Sequence, residues 1–146
     1  TLKTNNSKEK RNNMTNKEGQ IWYRYTNDEA KLKNECVDIV SKCYLLLGQK
    51  PDTQQVVIMS QLLYEDLANR YSSMTMQEVS FAFEQGIRNS ESGGFVNVRS
   101  MNTWLKEYKK EAQLKRQQGL LTDYQRHNEN MKLISSTIKK AKKLNK

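Results

Sequence analysis

One histidine, one proline and two cysteines are all that 146 residues contain of those types. Each scarcity excludes something. One histidine, His127, and two cysteines, Cys36 and Cys43, leave little for nucleophilic catalysis, and no CxxC or HxxxH spacing occurs, so a zinc site is not expected. The cysteines are seven residues apart; in a helix they stand two turns, roughly 10 Å, from each other, beyond the reach of a mutual disulfide. Two such lone thiols suit a reducing compartment. No phosphate-cradling GxxxxGK[ST] loop and no GxSxG elbow is present, and Gly93-Gly94 is an isolated pair. Catalysis, a cofactor and a small-molecule substrate are therefore not expected. No apolar run approaches the ~20 residues of a membrane span, so no membrane partner is expected either. Alternating strand-like runs are scarce, and the lone proline is Pro51. Both favour an all-α chain.

What is present is helical patterning. The best-specified stretch is Thr75 to Arg88. Thr75 and Glu78 fit a capping box, in which a hydroxyl and a carboxylate three residues on satisfy each other's backbone amides. Val79, Phe83 and Ile87 then repeat at steps of four, with Phe81 beside them, and read as core. Ala82 and Gly86 flank that line and are small, so a neighbouring helix has room to approach. Ahead of this stretch, Leu32, Cys36, Ile39, Cys43 and Leu46 form a short heptad-like seam that stops at Gly48. Asp52 or Thr53 caps the next helix, whose buried side is marked by Val56, Met59, Leu63 and Leu67 and widened by Val57, Ile58, Leu62 and Tyr64. Gly93-Gly94 reads as a hinge, at which a β-branched residue such as Val is strained if Gly94 has positive φ. A further helix begins at Asn97 or Ser100 and presents Met101, Leu105, Tyr108 and Ala112 on one side, with Trp104 adjacent. Gly119 is placed to break it, and Thr122 or Asp123 to cap a last helix.

Charge divides the chain. Residues 1–26 carry +4, residues 27–105 carry −3 and residues 106–146 carry +8, which together make the net +9. The expected organisation is a flexible basic arm over 1–26, a small helical bundle head over 27–105, and a long basic C-terminal helical tail over 106–146. Within the arm, Ile21-Trp22-Tyr23-Arg24-Tyr25 reads as a tether to the core, or as a segment that docks on a partner or stacks on bases. The basic tail either meets an acidic surface such as nucleic acid or merely keeps a polar helix soluble. The helix after the Ser72-Ser73 turn exposes few residues suited to base edges, so any nucleic-acid contact is expected to be non-specific.

The stretch from about Cys36 to Leu105 resembles the small helical domain of phage replicative-helicase loader proteins. The likeness lies in helix order and apolar positions. A helix and a Pro-Asp turn (Pro51-Asp52) lead to a second helix ending Leu62-Leu63-Tyr64-Glu65-Asp66-Leu67. A third helix then carries Glu78-Val79-Ser80-Phe81-Ala82-Phe83, and a loop enters a last helix. The resemblance implies a helical head and a tail that engages a replicative helicase.

The expected function is that of a non-enzymatic phage or bacterial DNA-replication accessory protein in the host cytoplasm. The alternative is a structural component of a phage particle, ordered by neighbouring virion subunits. Contacts to nucleic acid or an acidic partner are expected from Arg126, Lys132, Lys139, Lys140, Lys142 and Lys143. Contacts to a protein partner are expected from Trp22, Arg88, Phe95 and Arg99.

Overall fold

The computed structural model describes residues 19–90 and 94–144. Among these the protein is all-α, with helices α1 (Ile21–Asn27), α2 (Glu29–Leu46), α3 (Thr53–Arg70), α4 (Met76–Asn89), α5 (Val98–Gln117) and α6 (Asp123–Leu144). The described residues contain no strand, and a single isolated bridge joins Gln20 and Thr75. The chain divides into two compact units, Thr1–Leu105 and Lys106–Lys146.

The head is centred on α2, which packs chiefly on α3 and also meets α1 and α4. Leu32, Cys36, Ile39 and Cys43 are buried as their seam spacing requires, but Leu46 is exposed and Val40 and Tyr44 are buried in addition. The buried stripe thus shifts partway round the helix, as a 3.6-residue repeat does against a 3.5-residue seam. Gly48 ends α2 with φ +68, the left-handed conformation that glycine adopts without strain. Asp52 and Gln55 then start α3 with a reciprocal capping box: the Gln55 amide donates to Asp52 Oδ1 at 2.7 Å and the Asp52 amide to Gln55 Oε1 at 3.1 Å.

The box expected at Thr75 is present, with the Glu78 amide donating to Thr75 Oγ1 at 3.2 Å and the Thr75 amide to Glu78 Oε1 at 3.3 Å. From α4, Val79, Phe81, Ala82 and Phe83 are buried, whereas Ile87 is only half-buried. The small residue Gly86 receives Trp104 of α5: a Cβ built on Gly86 would lie 2.2 Å from Trp104 Cδ1. Phe83 meets the same indole edge-on, with ring centroids 5.6 Å apart. Asn97 caps α5 through its Oδ1, which accepts from the Ser100 amide at 2.8 Å.

Two expectations are corrected, and the condition at Gly94 is not met. The arm does not extend to residue 26, because Ile21–Asn27 is a helix whose Ile21 is fully buried. Its first amides, unpaired within the helix itself, donate to the α3–α4 turn: Ile21 N–H to the Met74 carbonyl and Trp22 N–H to the Ser72 carbonyl, each at 2.9 Å. Residues 1–18 lie outside the described part. Gly94 does not have positive φ; among the described glycines that conformation belongs to Gly48 and Gly119. The backbone at Gly94 is held instead by the Gln49 side-chain amide, which donates to the Gly94 carbonyl at 3.1 Å. Finally, Val57 and Ile58 do not widen the buried side of α3. They are 54 % and 47 % exposed, while Ser60 is buried there.

In the second unit, Gly119 breaks α5 with φ +72, and its amide and that of Leu120 close the helix end on the carbonyls of Arg116 and Lys115. Thr122 caps α6: its Oγ1 accepts from the Gln125 amide at 3.3 Å, and Gln125 Oε1 accepts from the Thr122 amide at 2.9 Å. Lys115 spans the turn, pairing with Glu111 at 3.0 Å and with Asp123. No residue of α6 is buried.

Candidate interaction surfaces

The two thiols face the core of the head. Cys36 and Cys43 are free and buried, and burial pushes both from an ordinary value of 9.0 up to about 12. They are therefore thiols rather than thiolates at neutral pH, and thiolate is the nucleophilic form. The folded state holds these protons more tightly than the unfolded chain does. Their contribution to stability is complete below pH 9 and is lost as pH rises from there toward 12. Two results are expected. A disulfide reagent at pH 8 titrates no thiol in the native protein and both in urea. The urea midpoint falls above pH 9, and falls less steeply in the Cys36→Ala/Cys43→Ala variant. Among the described residues, no group of three His, Cys, Asp or Glu is placed to hold a metal ion, and no helix is long and apolar enough to cross a membrane.

The head carries an open groove of about 520 Å³ lined by Tyr25, Lys33, Val37, Val57, Ser60, Gln61, Tyr64 and Glu65. Its origin is local. Ser60 is small, and its hydroxyl is turned onto its own helix, donating to the Val56 carbonyl at 2.6 Å. One wall is an aromatic pair, Tyr25 stacked on Tyr64 with centroids 5.6 Å apart. The Tyr64 hydroxyl donates to Glu29 Oε1 at 3.0 Å. The Lys33 ammonium lies 3.1 Å from the same oxygen and 5.1 Å from the Tyr64 ring centre. Lys33 first, and the Tyr64 hydroxyl second, hold the Glu29 carboxyl below its usual range, and burial raises Tyr64. Exposed Val37 and Val57 give the groove an apolar character.

This groove was not among the sequence-expected sites. The available signal was an apolar stripe on α3 too wide for one buried face: Val57 and Ile58 lie about 100° and 200° round the helix from Val56.

The four expected partner contacts are all exposed, but they do not form one patch. Trp22 is 45 % exposed beside the α3–α4 turn, its indole N–H donating to Gln20 and its ring meeting Tyr23 edge-on. Arg88 lies in the last turn of α4, Phe95 in the following loop at 70 % exposure, and Arg99 in the first turn of α5. The 14 residues of α4 separate these two groups by about 20 Å. Arg24, which made the aromatic segment resemble a base-stacking motif, pairs with Glu35 at 2.6 Å and with Asp28 at 3.9 Å. Glu35 raises its pKa further, so the guanidinium is held within the head.

The six expected cationic contacts, Arg126, Lys132, Lys139, Lys140, Lys142 and Lys143, are all on α6 and all exposed. At about 100° per residue, Lys132, Lys139, Lys140 and Lys143 share one side spanning roughly 100°. Arg126 lies farther round beyond Lys140. Lys142 borders a separate stripe formed by Met131, Ile134, Ile138 and Ala141. The first three of these are 48 %, 51 % and 50 % exposed.

Comparison with protein-family models, with curated proteins and with solved structures gives no match.

Proposed function

We propose that this chain is a non-enzymatic accessory protein of phage or bacterial DNA replication, similar in role to a helicase loader. Its head engages a protein partner, and the cationic side of α6 contacts nucleic acid without reading sequence. The observation that carries this reading is the composition of α6. It has no buried side chain, and four lysines within its last six residues, Lys139, Lys140, Lys142 and Lys143, accompany Lys132 and Arg126. A row of exposed ammonium groups gains affinity from phosphates by releasing condensed counterions, and this term is independent of base identity. The head supplies a surface of a different kind. Its open groove pairs aromatic and aliphatic walls with polar groups at the rim, and a side chain from a partner can seat there.

The test is fluorescence anisotropy of labelled single-stranded and duplex DNA across about 50 to 200 mM salt. The full chain is compared with the Lys139→Gln/Lys140→Gln/Lys142→Gln/Lys143→Gln variant. For each phosphate contact removed, the slope of log affinity against log salt becomes shallower by about 0.7 on single strands and 0.9 on duplex. Because all four side chains are exposed, the variant keeps the wild-type circular dichroism. Equal affinities and equal salt slopes for the two proteins would sink the nucleic-acid half of this reading.

A further inference from the structure

The apolar stripe of α6 is separate from its cationic side and has its own periodicity. Tyr124, His127, Met131, Ile134, Ile138 and Ala141 recur at steps of three, four, three, four and three, the a/d spacing of a coiled coil. Met131, Ile134, Ile138 and Ala141 are exposed, and Tyr124 is half-buried. The flanking e and g positions decide what can cover such a seam. On one flank are Asn128, Ser135 and Lys142; on the other are Asp123, Asn130, Thr137 and Leu144. Five of these seven are uncharged, and no two like charges face each other when the seam meets a copy of itself. The remaining cations, Arg126, Lys132, Lys139, Lys140 and Lys143, fall on the outward positions, clear of the seam.

We infer that α6 pairs with α6 of a second copy of this chain as an antiparallel coiled coil. Charge selects the direction. The first part of α6, Asp123–Met131, carries Asp123 and Glu129 against Arg126, while the remainder carries five lysines and no acid. Parallel pairing gathers both lysine-rich ends at one end of the pair, although most of those side chains point outward. Antiparallel pairing sets each cluster beside the acidic end of the other helix. Packing agrees with charge: Met131 then faces Ile134, His127 faces Ile138, and the bulky Tyr124 faces the small Ala141. The pair also presents lysines on two outward faces. This pairing does not depend on nucleic-acid binding, and its test uses none.

The test is sedimentation equilibrium of the full chain without DNA, from micromolar to submillimolar concentration. The mass is expected to rise from 17.1 kDa toward twice that value. Ile134→Asp/Ile138→Asp removes two apolar knobs that are 51 % and 50 % exposed in the single chain. It is expected to weaken association by about a hundredfold or more while leaving the near-ultraviolet dichroism of the head unchanged. Direction is read by disulfide trapping. In an antiparallel pair the two copies of residue 141 stand about 25 Å apart along the axis, so Ala141→Cys alone forms no linked dimer, whereas a mixture with Tyr124→Cys does. A mass fixed at 17.1 kDa at every concentration, or a linked dimer from Ala141→Cys alone, overturns the proposal.

Discussion

Phe83→Ala is expected to lower the unfolding free energy of the head by about 3–5 kcal/mol. Phe83 is 1 % exposed and sits where α4 meets α5, edge-on to Trp104 at 65° between ring planes. Truncation removes the transfer free energy of the ring and opens a cavity between two helices. That cavity cannot readily collapse, because Ala82 is buried beside Phe83 on α4, and Met101 and Leu105 are buried beside Trp104 on α5. A domain of this size has a total stability of about 5–15 kcal/mol, so the loss is a large fraction of the whole. Urea unfolding followed by tryptophan fluorescence should show a lower midpoint at an unchanged slope. Phe95→Ala is the control: at 70 % exposure its change should stay within about 0.5 kcal/mol. If the two variants unfold together, the α4–α5 contact is not the one described.

That contact was legible in the sequence because every part of it is local or periodic. Thr75 and Glu78 fix where α4 starts. The step of four from Val79 to Phe83 fixes which side is buried. Ala82 and Gly86 mark where a neighbour can come close, and Trp104 comes close there. The same reasoning placed the breaks at Gly48 and Gly119, where positive φ needs glycine, and narrowed the last cap to Thr122 or Asp123, of which the structure uses Thr122. At Gly94 the condition for a strained hinge is not met, because a glycine pair reports permissiveness and not the conformation adopted.

The groove was not legible for a different reason. It exists because α1 folds back and brings Tyr25 onto Tyr64, and that return rests on backbone hydrogen bonds from Ile21 and Trp22 to Met74 and Ser72. Backbone groups leave no residue-type signature, so nothing in Ile21-Trp22-Tyr23-Arg24-Tyr25 tells a docked helix from a free aromatic segment. Likewise Val57 and Ile58 carry the residue types of a core but lie on a side of α3 that stays about half exposed. The cations of α6 were legible because a lysine on a helix with no buried face has nowhere to go but solvent.

Gly86→Ala separates two effects of opposite sign. In an open helical position the change stabilises by about 1 kcal/mol, since glycine costs more backbone entropy than alanine. At Gly86 the new methyl would lie 2.2 Å from Trp104 Cδ1, 2.3 Å from Cγ and 2.8 Å from Nε1, well inside contact distance of a rigid ring. The indole is 7 % exposed and backed by Phe83, so it has little room to swing away. Either the ring leaves its rotamer or α5 moves off α4. Overpacking of this kind costs about 1–3 kcal/mol, so net destabilisation of about 1–2 kcal/mol is expected despite the propensity gain. A double-mutant cycle with Trp104→Ala isolates the cause. Trp104→Ala alone should cost about 3–5 kcal/mol. In the double variant no ring remains to collide with, and the methyl introduced by Gly86→Ala fills part of the space the ring vacated. The double variant should therefore be more stable than the sum of the single losses predicts, by about 2 kcal/mol or more. Additive losses in urea unfolding would mean that the Trp104 ring does not lie over Gly86.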